Sequence, residues 1–77
     1  MPTLLKWNGF RFYFWSHEPG EPPHVHVDKA GLTAKIWLES VNVAYHDGYK
    51  PKDLKKIVEK VKEHREEFLE AWHDHFA

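Results

Sequence analysis

At 77 residues the chain is one small domain, near the lower limit for folding without disulfides, metals or partners. Its 42% hydrophobic and 30% charged residues exclude intrinsic disorder, and 11 Lys and Arg against 12 Asp and Glu exclude a global positive field for nucleic acid or acidic lipid. The lack of cysteine excludes disulfides, thiolate metal sites and a Cys nucleophile and suits a reducing cytoplasm, and neither a signal peptide nor the ~20 apolar residues of a membrane span is present.

The N-terminal Leu4, Leu5 and Trp7 are apolar and can fold back onto the rest of the chain. Residues 9–16, GFRFYFWS, alternate Phe10, Phe12 and Phe14 with Arg11, Tyr13 and Trp15, the period of a strand with one buried face. HEPGEPP follows as a loop, and Pro22 and Pro23 keep the chain extended on entry to the next segment. Residues 24–28 then set Val25 and Val27 against His24, His26 and Asp28, a second strand. After a short turn at 29–31, residues 32–39 form a third, with Ala34, Ile36 and Leu38 against Lys35, Trp37 and Glu39. Residues 41–45 make a possible short fourth strand, and HDGYKP closes the β-rich part, residues 3–46.

Pro51 suits the first position of a helix, where its missing amide hydrogen is no loss. From there to about residue 76, Leu54, Ile57, Val58, Val61, Phe68, Leu69, Trp72 and Phe76 fall on one helical stripe, continued through the middle by His64 and Arg65. A straight helix over 51–76 is about 39 Å long at ~1.5 Å per residue, whereas a globule of this size is roughly 30 Å across. The helix end is therefore expected to overhang, leaving Phe68, Trp72 and Phe76 as a surface for a small protein partner or a second copy of the chain. A bent helix, or the folded-back Leu4, Leu5 and Trp7, covers the same residues instead.

The predicted fold is thus α+β: an antiparallel sheet of three or four strands with one long C-terminal helix on one face. A single helix covers one face, and the phenylalanines and valines are its natural complement. By alternation the other face collects Arg11, Tyr13, Trp15, His17, His24, His26, Asp28, Lys35 and Trp37.

Three readings of that face stand open. His24 and His26 project the same way about 7 Å apart at Cα, near enough to share a divalent transition metal with His17 as a further ligand. Alternatively, Tyr13, Trp15 and Trp37 stack bases of RNA while the two histidines, with Arg11 or Lys35, supply the acid, base and cation that phosphodiester cleavage needs. In the third, the aromatics pack on one another and the histidines are tolerated at the rim.

The run MPTLLKWNGFRFYFWSHEPGEPPHVHV, then AKIWLESVNVA and the closing EAW segment, resembles the small bacterial domain-of-unknown-function 4160 family over nearly the whole chain. P-H-V-H-V followed by A-K-I-W-L is the most specific part. The resemblance implies a bacterial, cytoplasmic protein that forms one half of a two-gene, toxin–antitoxin-like pair with another small protein. It also implies that Glu21, Pro23, His24, His26, Lys35, Trp37 and Leu38 are the characteristic positions. A looser similarity is to small RNA-cleaving toxins built from three strands and a helix around one histidine.

Overall fold

The computed structural model describes residues 3–14 and 20–76. Five strands, β1 (Thr3–Trp7), β2 (Phe10–Tyr13), β3 (His24–Lys29), β4 (Leu32–Trp37) and β5 (Val43–His46), form one antiparallel sheet whose spatial order is the chain order. Two helices follow, α1 (Pro51–Glu63) and α2 (Arg65–Phe76). The α+β class and the antiparallel sheet are as expected; the strand count and the single long helix are corrected.

The additional strand is β1, and its hairpin is dictated locally. Asn8 and Gly9, at φ +48° and +83°, join Trp7 directly to its partner Phe10, the mirror-image two-residue turn whose twist matches paired strands. Leu4 and Leu5 both pack against the core, which strict alternation forbids. A register shift between Thr3 and Leu5 resolves the conflict, as a bulge lets two successive side chains share a face. Lys29 and Leu32 are joined in the same way through Ala30 (φ +51°) and Gly31 (φ +83°). The last strand runs over Val43–His46 rather than 41–45, because Val41 stands at φ +57° in the preceding turn.

One sheet face carries the core. Phe10, Phe12, Val25, Val27, Ala34, Ile36 and Leu38 meet Ile57, Val61 and Phe68 from the helices, all buried. Tyr49, in the segment leading into α1, closes one end: its hydroxyl is shared between the carbonyls of Val27 and Leu32 at 2.9 and 3.0 Å.

The expected overhang does not occur, because the helix bends. His64 leaves helical geometry at φ −106°, ψ 14°, and Arg65 next to it donates from Nε to the Leu38 carbonyl at 2.9 Å and from Nη2 to that of Glu39 at 3.2 Å. The guanidinium thus ties the bend to the β4–β5 turn. Beyond it Phe68 packs on Phe12 and Trp72 on Phe14, at ring separations of 6.0 and 5.4 Å. The longest dimension of the molecule is 34 Å, shorter than the straight helix would be. Among the described residues no helix is long and apolar enough to cross a membrane.

Candidate functional site

Strand pairing assembles the second face in rows. Tyr13 of β2 lies opposite His26 of β3, which lies opposite Lys35 of β4; one row along, His24 faces Trp37, and on the other side Arg11 faces Asp28. Arg11, Tyr13, His24, His26, Lys35 and Trp37 therefore share a face, as alternation requires. Trp15 and His17 lie outside the described residues.

This face is not open. His24 is 0% exposed, His26 and Tyr13 4% and Lys35 9%, while Arg11 and Trp37 are half-buried. Two elements account for much of the closure. The segment entering β3 places the Glu21 carboxylate on Lys35, with Nζ donating to its two oxygens at 2.9 and 3.1 Å. At the start of β3, Trp72 of α2 lies 4.9 Å from the His24 ring and also against Phe14, joining the two faces at the sheet's end.

Within the cluster, ring contacts run continuously from one side to the other. The Arg11 guanidinium sits 4.7 Å over the Tyr13 ring, which stacks on His26 at 5.5 Å. The His26 ring meets His24 edge-on at 5.1 Å, and His24 in turn meets Trp37 edge-on at 5.7 Å. Lys35 Nζ lies 4.6 Å over Trp37, so the ammonium is held between an aromatic face and a carboxylate.

Polar partners orient these groups. His24 Nδ1 donates to the Pro22 carbonyl at 2.9 Å. A carbonyl oxygen only accepts, so in the neutral ring the hydrogen is on Nδ1 and the lone pair on Nε2, which stands 3.7 Å from a Glu21 oxygen. The Tyr13 hydroxyl donates to both Asp28 oxygens at 3.1 and 3.0 Å. Burial, reinforced by the Asp28 charge, raises the Tyr13 pKa above its ordinary value and keeps that hydroxyl a donor near neutrality.

Chemically, the cluster offers two imidazoles in contact, a cation beside one of them and aromatic surfaces at either end. Among the described residues no three His, Asp or Glu side chains gather closely enough to hold a metal ion. The residues expected to meet a partner are placed differently from one another: Phe68 and Trp72 are buried within the chain, and Phe76 is half-buried against Phe14 and Trp72. Sequence reasoning missed the part Trp72 plays beside His24. The helical stripe placed that ring on the inward side, and nothing in the stripe says which strand end it reaches.

The family model described as "Domain of unknown function (DUF4160)" matches residues 9–73. No curated protein and no solved structure matches the chain.

Proposed function

The chain belongs to the DUF4160 family, and we propose that it is the RNA-cleaving component of a two-protein, toxin–antitoxin-like module, acting through His24, His26 and Lys35. One observation carries this reading: three ionisable side chains are buried together in a domain of only 77 residues. Burying imidazole or ammonium groups opposes folding unless they are well partnered, and a domain this small has few apolar positions to spare. Buried clusters of titratable groups are characteristic of functional sites.

The geometry fits the following roles. His24, with its lone pair on Nε2, takes the proton of a ribose 2′-hydroxyl as that oxygen bonds to the adjacent phosphorus. Lys35 offsets the charge that grows on the phosphorane oxygens. The P–O5′ bond breaks, and the leaving oxygen takes a proton from His26 in its protonated form. The products are a 2′,3′-cyclic phosphate and a 5′-hydroxyl, so atoms and protons balance. Tyr13 and Trp37 provide stacking surfaces for the flanking bases, and Arg11 a cation for a neighbouring phosphate. The substrate reaches the cluster once the exposed Glu21 side chain turns away from Lys35.

A partner protein fits this picture as the controller of that movement. With Phe68 and Trp72 engaged inside the chain, Phe76 is the apolar element that α2 offers to it.

The test is induced expression of the wild type and of a His24→Ala, His26→Ala double variant at equal soluble amounts, with growth and total RNA followed together. Growth arrest with RNA fragments ending in 2′,3′-cyclic phosphate, lost in the double variant, is the expected result. Normal growth and intact RNA on expression of the wild type alone refute the proposal.

A further inference from the structure

The contact between Glu21 and the cluster is lopsided. The groups it approaches belong to the interior: the Lys35 side chain is 11% exposed and that of His24 0%, whereas the Glu21 side chain is 42% exposed. Both Lys35 and His24 sit on central strands paired on each side, which fixes their backbone. Glu21 sits on a connecting segment, next to Gly20, where among the described residues no atom beyond its chain neighbours lies within 4 Å of where a Cβ would stand. A buried ammonium and imidazole on the sheet are therefore met by an exposed anion on a connecting segment.

The geometry points to a seat for one phosphate group, formed by Lys35 Nζ and His24 Nε2, that the Glu21 carboxylate occupies as a built-in stand-in. Two carboxylate oxygens lie at 2.9 and 3.1 Å from Nζ, and one of them is 3.7 Å from Nε2. Phosphate oxygens accept from an ammonium in the same charge-assisted manner, and a phosphate dianion carries more charge than a carboxylate. The imidazole adds a second donor once protonated, the state it reaches after taking the 2′-hydroxyl proton. Trp37, with its ring beneath the ammonium and against His24, walls the seat. Displacing Glu21 returns its carboxylate to water, which an exposed side chain does at little cost.

This deepens the phosphodiester reading by naming the place of the phosphate, and its test does not pass through cleavage. Inorganic phosphate is titrated into wild type, Glu21→Gln, Glu21→Ala and the double variant Glu21→Gln, Lys35→Met, following the Trp37 indole and the backbone amides of β3 and β4 by NMR. Circular dichroism confirms the fold of each. Glu21→Gln and Glu21→Ala are expected to bind phosphate at least about tenfold more tightly than wild type, with shifts centred on residues 24, 35 and 37, and the double variant to lose that gain. Equal affinity in wild type and both Glu21 variants overturns the inference, as does a double variant that binds as well as Glu21→Gln. Phosphate bound by Glu21→Gln without RNA cleavage keeps the seat and removes the ribonuclease reading; cleavage by the wild type with no phosphate bound by either Glu21 variant does the reverse.

Discussion

Replacing His24 by leucine separates an imidazole kept for chemistry from one kept for packing. The side chain is fully buried, and the two residues are of comparable size, so the substitution leaves little void. Among the described contacts, those lost are the Nδ1 hydrogen bond to Pro22, about 1 kcal/mol net, the 3.7 Å approach of Nε2 to the exposed Glu21 carboxylate, which contributes little, and the ring contacts with His26, Trp37 and Trp72, together on the order of 1 kcal/mol beyond area. The Pro22 carbonyl belongs to an exposed residue and regains water. Gained is the burial of a leucine side chain, about 2 kcal/mol. His24→Leu should therefore lie within about 1 kcal/mol of wild type, whereas His24→Ala, which opens a cavity, should lose about 2–4 kcal/mol. Urea unfolding midpoints at unchanged m-value provide the measurement, and RNA cleavage should vanish in both variants. A loss of 3 kcal/mol or more in His24→Leu would show that the imidazole is a structural keystone, and the argument from stability to function would fall.

Two further predictions concern the scaffold. Ala30 sits at φ +51° in a two-residue turn, a conformation that costs a side chain roughly 1 kcal/mol and that asparagine adopts more readily; Ala30→Asn should raise the urea stability by about 0.5–1 kcal/mol, and a fall in stability would contradict the turn assignment. Burial, and then the charge of Asp28, pushes the pKa of Tyr49 up to about 12. The folded state therefore keeps a proton that the unfolded state releases near pH 10, so this contribution is intact below pH 10 and is lost as the pH rises toward 12. On the order of 2 kcal/mol should disappear over that window, and Tyr49→Phe should flatten the decline; an unchanged alkaline profile in that variant would refute the assignment.

Much of the sheet is legible because β2, β3 and β4 bury one set of alternating residues, and that alternation also places His24, His26 and Lys35 together. β1 is less so, since the adjacent Leu4 and Leu5 break the period at the bulge. The Asn8-Gly9 pair was nonetheless a direct hairpin signal. The bend at His64 carries no proline or glycine; it is accompanied by Arg65 reaching carbonyls 26 and 27 positions away, a tertiary cause that no local pattern records. The closure of the histidine face is illegible for the same reason. Alternation says which side a residue faces, but whether that side is covered depends on Glu21 meeting Lys35 14 positions on and on Trp72 meeting His24.

The strands lie side by side in the order in which they are synthesised, which bears on how the domain assembles. Every strand pairs with its chain neighbour, the low contact order that favours rapid folding. Two-residue turns close β1 with β2 and β3 with β4, so these hairpins can nucleate independently while the helical part is still unstructured. Ten positions of sequence separate β2 from β3, and loop-closure entropy makes joining across a span of that length about 1.4 kcal/mol costlier than closing a two-residue loop. Registration of the two hairpins is thus the slow joint of the meander. Glu21, which meets Lys35 beside the histidines, stands at that same joint.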